Sequence, residues 1–145
     1  MIAVETNILV YAHRGELPGH AAAGDAIRRL AEAPAPWAIP WPCVHEFFGI
    51  VTSPRVFATP TPVAEAMRQV DRWLASPTLV VLSETATHWA TLGRLVRAAS
   101  IRGPKIHDAR IAAICLDHGV EEILTADRDF TSFPTLRARN PLLRA

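Results

Sequence analysis

The sequence predicts an α/β fold with a mainly parallel central sheet flanked by helices. Short apolar runs of the length expected for buried strands alternate along the chain with longer amphipathic stretches. A repeated order of strand, helices and strand favours parallel pairing, because each crossover returns the chain to the end at which the previous strand began. The length of 145 residues suits one compact domain, and we expect a single domain over residues 1–145.

The predicted strands are short and mostly apolar. We expect strands at residues 2–4, 37–41, 79–82 and 123–126, with a further edge strand in the tail at 134–145. The third strand reads Leu-Val-Val-Leu, which is typical of a strand buried on both faces. Pro40 lacks an N–H group, so it predicts an edge or irregular position for the second strand.

The predicted helices are bounded by capping residues and helix breakers. We expect helices at residues 7–13, 20–33, 43–53, 62–75, 87–99 and 106–118. Thr6 or Asn7 would cap the first helix through a side-chain oxygen. Thr61 and Pro62 form a cap and first-position pair before the fourth helix. Gly119 follows the last helix, where a residue in the left-handed region commonly ends it.

Composition limits the class of protein. Of the 15 basic residues, 14 are Arg and one is Lys, and the net charge is +1, which permits a nucleic-acid partner without arguing for one. No apolar run reaches the roughly 18–20 residues needed to span a bilayer, and no basic and apolar leader opens the chain. We therefore expect a cytoplasmic protein without a membrane partner.

The cysteines and histidines do not have the spacing of a zinc site. Cys43 and Cys115 are far apart in the sequence and show no CxxC pattern, so we expect two reduced thiols in the core. The six histidines show no pair at helical ligand spacing.

Three acidic residues follow predicted strands directly. Glu5 comes after the strand at 2–4, and Asp127 and Asp129 come after the strand at 123–126. The carboxyl ends of parallel strands are where such sheets place their sites. The alternative is a structural role, since acids are common in turns and Asp129 could cap the short turn that follows it.

Two further acids lie on helices. On a helical wheel Glu46 borders the apolar arc of its helix, although a solvated flank position explains it equally well. Asp108 lies in the first turn of the last helix, on the same side as Ile111 and Cys115. A carboxylate on a buried face is costly unless it is paired or bound to metal, although an acid in a first turn can also be a simple cap.

Four of these acids together indicate a function that none indicates alone; they are Glu5, Glu46, Asp108 and Asp127. All four map to strand ends or to helix faces near them. Clustered carboxylates repel one another without a cation, and oxygen-only ligands suit Mg²⁺ or Mn²⁺. Such ions support hydrolysis of phosphate esters. The residues therefore predict a divalent-metal site that acts on a phosphodiester.

Four segments in order resemble the PIN domains. Residues 2–12 (Ile-Ala-Val-Glu-Thr-Asn-Ile-Leu-Val-Tyr-Ala) resemble the opening of that family, and residues 44–47 (Val-His-Glu-Phe) resemble the segment of its second acid. Residues 107–113 (His-Asp-Ala-Arg-Ile-Ala-Ala) and 124–130 (Leu-Thr-Ala-Asp-Arg-Asp-Phe) resemble the third and fourth. The size and the motif set are most similar to the VapC toxins of VapBC toxin–antitoxin modules.

The resemblance implies a PIN-like fold and a Mg²⁺- or Mn²⁺-dependent endoribonuclease that acts on structured RNA, with tRNA or rRNA as the usual substrate. It also implies a homodimer and inhibition by a VapB-type antitoxin that covers the active site. The four acids of the set would hold the metal, and Asp129 is a weaker candidate. Thr6 would orient Glu5 through its hydroxyl, and Asn7 would support the same turn.

Glu5 departs from the family pattern, which has Asp at this position. The extra methylene adds roughly 1.5 Å of reach, and Mg²⁺ demands near-ideal geometry. The departure predicts reduced metal binding or turnover. It leaves two alternatives open: a non-catalytic PIN-like protein that binds RNA or an antitoxin, and a different metal-dependent phosphoesterase.

Three tryptophans leave a second question open. Trp37, Trp41 and Trp73 suit the hydrophobic core, and they suit equally the aromatic anchors of a dimer or antitoxin interface.

Overall fold

A five-stranded sheet forms the centre of the protein, in a computed structural model that describes residues 1–143. The strands are β1 (Ile2–Val4), β2 (Trp37–Pro40), β3 (Leu79–Leu82), β4 (Glu122–Leu124) and β5 (Arg137–Arg139). Their order is β3-β2-β1-β4-β5, and every neighbouring pair is parallel. At the centre of the sheet, Ala3 of β1 lies opposite Ala38 on one side and Ile123 on the other. The predicted α/β class with a parallel sheet is confirmed.

Six α-helices connect and flank the strands. They are α1 (Thr6–His13), α2 (His20–Glu32), α3 (Trp41–Val51), α4 (Val63–Leu74), α5 (His88–Ala99) and α6 (Ile106–Asp117), with short 3₁₀ turns at Gly103–Lys105 and Arg128–Ser132. Each lies within two residues of its predicted bounds, because the apolar periodicity and the breakers act locally. No helix among residues 1–143 has the length and apolar character that crossing a bilayer requires.

The expected positions of two strands in the sheet are wrong. β2 lies inside the sheet, between β1 and β3, although Pro40 predicted an edge or irregular strand. Pro40 is the last residue of β2 and α3 begins at the next residue, so its missing N–H falls where the ladder ends. β3 is an edge strand instead of a strand buried on both faces, and Val80 remains 42% exposed. The tail supplies the other edge strand, β5, as expected.

Two expected helix caps differ in the structure. The cap of α1 is Glu5, whose side chain accepts the N–H of Asn7, so neither expected residue serves as the cap. Before α4, Pro62 occupies the cap position without a side-chain hydrogen bond. The Thr61 hydroxyl instead contacts His13, and it accepts a hydrogen bond from Arg14. The cap of α1 is thus local but lies one residue earlier than expected, whereas before α4 tertiary partners occupy the expected capping group. Gly119, with φ +71°, follows α6 as expected.

Two of the three tryptophans and both cysteines lie in the hydrophobic core. Trp37 is 1% exposed and Trp73 is 8% exposed, so both belong to the core and neither is available at an interface. Trp41 is half-buried and stacks on His45 with 6.1 Å between ring centroids. Cys43 and Cys115 are free and fully buried, as predicted.

A buried acid holds the edge strand β5 to the sheet. The carboxylate of Glu122, at the start of β4, is 7% exposed. Arg137 and Arg139 of β5 donate to its two oxygens through their Nε atoms at 2.6 and 2.7 Å. The pair of guanidinium groups compensates the cost of burying this charge.

The left-handed glycine after α6 gives a test of the fold. Gly119→Ala should lower the unfolding free energy by about 1 kcal/mol and the melting temperature by a few degrees, because an added Cβ meets no atom within 4 Å but disfavours positive φ. Gly24→Ala, in the interior of α2 with equally open space, should raise both by a similar amount. Thermal unfolding of the two variants measures this, and shifts of the same sign would contradict it.

Candidate metal centre

A cleft of about 340 Å³ opens at the carboxyl ends of β1 and β4. We call it the acidic cleft, because the four predicted ligands Glu5, Glu46, Asp108 and Asp127 all line it. Its remaining lining residues come from α1, α3 and the two loops that follow α1 and α3; they are Thr6, Asn7, Val10, Tyr11, Leu17, Ile50, Val56 and Phe57. The fold thus brings together acids that lie up to 122 positions apart in the chain (127 − 5 = 122).

Asp108 and Asp127 of the cleft also form a close group with Asp129, which does not line the cleft and was the weaker candidate in the sequence. Asp108, Asp127 and Asp129 each offer a carboxylate oxygen, and these oxygens lie within 4.8 Å of one another. The Lys105 ammonium lies 3.6 Å from Asp129 Oδ1. Asp129 enters the group because Asp127 Oδ1 accepts its backbone N–H at 2.8 Å and so begins the short 3₁₀ turn after β4.

Glu5 is the most buried acid of the cleft, with 6% exposure. Its Oε2 accepts the backbone N–H of Asn7 at 3.3 Å and the hydroxyl of Thr125 at 3.2 Å. Desolvation by burial raises the pKa of the Glu5 carboxyl to about 7, although these hydrogen bonds oppose the shift. Near neutral pH the carboxyl therefore holds a proton in a substantial fraction of molecules.

Thr6 lies between two of the acids. Its hydroxyl donates to Glu46 Oε2 at 2.8 Å, and it is close enough to Glu5 to oppose the rise in the pKa of that carboxyl. A second hydroxyl, that of Thr125, donates to Glu5 directly, and sequence reasoning missed it. The only signal for Thr125 was its place in the segment 124–130, between the strand and Asp127.

Asn7 ties the start of α1 to the loop that follows β4. Its Oδ1 accepts the backbone N–H of Ala126 at 3.0 Å, and its Nδ2 lies 3.4 Å from the Thr125 hydroxyl. The same hydroxyl accepts the backbone N–H of Asp127 at 2.9 Å. The supporting role predicted for Asn7 thus extends to the neighbouring strand end, and it places Asp127 relative to Glu5.

Asp108 experiences the charge of the other acids directly. It lies half-buried in the first turn of α6. Burial, followed by repulsion from Asp127, Asp129 and Glu46, raises its pKa to about 6, and Lys105 opposes the shift. A divalent cation would relieve this repulsion. The donors are carboxylates alone, which is the ligand set of a hard cation such as Mg²⁺ or Mn²⁺.

Comparison with known proteins identifies the family. The chain matches the PIN domain family over residues 2–136. It is 37% identical over 142 residues to VapC ribonuclease Mb2897 of Mycobacterium bovis, an alignment that covers 98% of this chain and 96% of the relative. The chain belongs to the VapC ribonucleases of the PIN domain family. A second VapC relative, ribonuclease VapC31 of Mycobacterium tuberculosis, is 32% identical and covers 99% of this chain and 100% of its own length.

Solved VapC structures share the fold. VapBC2 from Rickettsia felis, bound to a DNA fragment from its promoter, matches with a TM-score of 0.72 at 21% identity and covers 97% of this chain and 98% of its own. VapC20 of Mycobacterium tuberculosis, described as a sarcin–ricin loop cleaving toxin, matches with a TM-score of 0.67 at 18% identity and covers 91% and 94%. The PIN-like fold and ribonuclease family predicted from the motifs are confirmed.

The raised pKa of Glu5 gives a test of the cleft in the absence of metal. With a chelator present, the unfolding free energy should decrease by about 3 kcal/mol as pH rises from about 4.5 to about 7. The sign follows because the folded state binds the Glu5 proton more tightly than the unfolded chain, so that deprotonation favours unfolding. Asp108, with its pKa also raised, acts in the same direction up to about pH 6.

Denaturant unfolding at a series of pH values measures this dependence. Glu5→Gln should flatten the curve, whereas Glu65→Gln, an exposed acid in the first turn of α4, should leave it unchanged. Equal pH dependence in the Glu5→Gln variant and the unmodified chain would contradict the assignment.

Proposed function

We propose that the chain is a Mg²⁺- or Mn²⁺-dependent endoribonuclease toxin of a toxin–antitoxin module that cleaves structured RNA. The observation that carries the proposal is the convergence of four acids from separate segments on one cleft. Two of them, Asp108 and Asp127, lie with Asp129 in a group whose carboxylate oxygens are within 4.8 Å of one another. Family membership supplies the ribonuclease activity. The all-carboxylate site supplies the reason for a divalent cation.

Each acid keeps at least one oxygen available to a cation. Glu5 uses Oε2 for Asn7 and Thr125, and Glu46 uses Oε2 for Thr6, so Oε1 remains on each. Asp127 commits Oδ1 to the N–H of Asp129 and keeps Oδ2. When bound, a divalent cation supplies positive charge against a phosphodiester and promotes the ionisation of water. The hydrogen bonds hold the acids in place before the cation arrives.

The walls of the cleft favour RNA with unpaired bases. Val56 and Phe57, in the loop between α3 and α4, stand beside the acids, and Val56 is 55% exposed. The Arg14 guanidinium lies 4.0 Å from the centre of the Phe57 ring, and it donates to the Thr59 carbonyl at 2.9 Å, so this wall is held in place. Bases turned out of a loop pack against such apolar side chains. Loops of tRNA or rRNA supply unpaired bases next to structured stems.

Asp108 is the acid whose loss tests the metal site. Mg²⁺ or Mn²⁺ should raise the melting temperature of the unmodified chain, because a ligand of the folded state stabilises it. Asp108→Asn should remove most of this increase and reduce cleavage of total RNA by at least about 100-fold. Asp71→Asn, an exposed acid on α4, is the matched control and should change neither. An unaltered metal shift in Asp108→Asn would refute the role of Asp108.

We propose further that Glu5 lowers the activity below that of a chain with Asp at this position. The Glu5 side chain is buried against Asn7 and Thr125, and its raised pKa places a proton in competition with the cation. Aspartate is shorter, so its oxygens would lie nearer the end of β1 and leave more room for the cation. It is also a strongly preferred helix cap, so it keeps the bond to the start of α1.

Glu5→Asp should therefore cleave RNA faster in Mg²⁺, by roughly 10- to 100-fold. Its stability without metal should change little. Cleavage time courses on total RNA with both proteins test this. Equal rates would show that the site accommodates Glu5, and no cleavage by either protein in Mg²⁺ or Mn²⁺ would favour the non-catalytic alternative. Hydrolysis of small phosphate esters in place of RNA would favour the other phosphoesterase.

The acidic cleft also suits an inhibitory partner. Its lining combines the four acids with the apolar side chains of Val10, Tyr11, Leu17 and Ile50. A segment with basic and apolar residues complements such a surface in charge and in burial. Solved structures with this fold include VapBC complexes from Rickettsia felis and Haemophilus influenzae, which supports a VapB-type antitoxin as the partner. Co-purification with the neighbouring gene product, and loss of RNA cleavage in that complex, tests the assignment.

An exposed apolar stripe on α4 suits pairing with a second copy of the chain. Val63, Met67 and Leu74 follow one another at helical spacing and are 62%, 51% and 41% exposed, and the half-buried Val70 lies between them. Monomers rarely leave such a contiguous stripe in contact with water. We therefore propose a homodimer that buries the stripe.

Met67→Glu should convert the dimer to a monomer at tens of micromolar protein, because it places a charge in the buried stripe. Arg72→Glu, on the opposite side of the helix, should leave the dimer intact. Light scattering measures both, and a monomeric unmodified chain would contradict the proposal.

A further inference from the structure

The acidic cleft continues into two further hollows on the same side of the protein. Asp127 lines the cleft and also a hollow of about 290 Å³ next to it, which we call the side hollow. Asn140 and Leu143 line the side hollow and also a larger one of about 650 Å³ against α2, which we call the α2 hollow. Shared lining residues make the three depressions one surface that leads from the acids over β4 and β5 to α2.

The charge of this surface changes sign away from the acids. Arg128 lines the side hollow, Arg29 lines the α2 hollow, and neither makes an ion pair within the described residues 1–143. The one acid that lines the α2 hollow, Asp25, forms an ion pair with Arg28 at 2.9 Å, and Arg29 contributes to lowering the pKa of the same carboxyl from a greater distance. Among residues 1–143, the two hollows therefore present two arginines that form no direct ion pair.

A ribonuclease with an acidic cleft needs such cations. RNA is a polyanion, so the carboxylates that hold a divalent cation repel the phosphates on either side of the cut. The net charge of +1 provides no general attraction, so attraction must come from local groups. Arg is well suited, because its guanidinium contacts phosphate oxygens with two parallel hydrogen bonds.

We propose that the side hollow and the α2 hollow form a binding track for the RNA backbone on one side of the cleaved bond. Arg128 contacts the phosphate near the acids, and Arg29 contacts a phosphate further along the strand. The side-chain amide of Asn140 lies between them, and its Oδ1 already accepts the N–H of Leu142, which leaves its amide N–H groups for the RNA. The track rests on the proposed function, since it extends the substrate site of that activity.

The test measures RNA binding without cleavage. The Asp108→Asn chain is titrated with unfractionated tRNA at a series of salt concentrations, with and without a second substitution. Arg29→Ala and Arg128→Ala should each weaken binding by about 5- to 10-fold. Each should also reduce the slope of log affinity against log salt by about 0.7–0.9, the value for one lost phosphate contact. Arg72→Ala, an exposed residue of α4 outside the three depressions, is the control and should change neither.

The possible results distinguish a failure of the proposed RNA-binding track from a failure of the proposed ribonuclease activity. Equal affinity and slope for Arg29→Ala and Arg72→Ala would overturn the track, even if the unmodified chain cleaves RNA. A specific loss of binding with Arg29→Ala, together with no RNA cleavage by the unmodified chain in Mg²⁺ or Mn²⁺, would support the track and refute the proposed activity. If Arg29→Ala weakens binding of the neighbouring gene product but not of tRNA, the α2 hollow is a protein site and the track is wrong.

Discussion

The junction between the ends of β1 and β4 is the interaction on which the site depends. The buried Glu5 carboxyl accepts the Thr125 hydroxyl, and Asn7 accepts the backbone N–H of Ala126. Thr125 in turn accepts the N–H of Asp127. These bonds bind the start of α1 to the loop after β4, in a place where unsatisfied polar groups would be costly. The acids of both strand ends are thereby held at one cleft.

Placing these acids close together destabilises their ionised forms in the folded protein. The pKa of Glu5 rises to about 7 and that of Asp108 to about 6, so both carboxyls are destabilised as anions. Lys105, 3.6 Å from Asp129, is the one cation among residues 1–143 that forms an ion pair with these acids. A structural ion-pair network would place more cations here, as Arg137 and Arg139 do around Glu122. Uncompensated acids at a strand end are typical of a functional site.

Local patterns allowed most of the secondary structure and the acids to be predicted. Helix periodicity and breakers act within a few residues, so all six helices lay near their expected bounds. Errors arose where a distant partner decided the outcome. Pro40 sits in an interior strand because the ladder ends there. Thr61 does not cap α4, because its hydroxyl contacts His13 and Arg14. The proximity of Asp129 to Asp108 was not visible in the sequence, because it depends on packing of α6 against the turn after β4.

The sequence by itself determined the α/β class, the helices and the four motif acids that line the cleft, since each depends on short-range periodicity or on motifs of a few residues. The tertiary structure decided the strand order, the partner of each hydroxyl, the place of Trp37 and Trp73 in the core, and the track of hollows beside Asp127. These features arise from contacts between segments far apart in the chain. Residue spacing does not predict such contacts, because they form only when the sheet has brought the strand ends together.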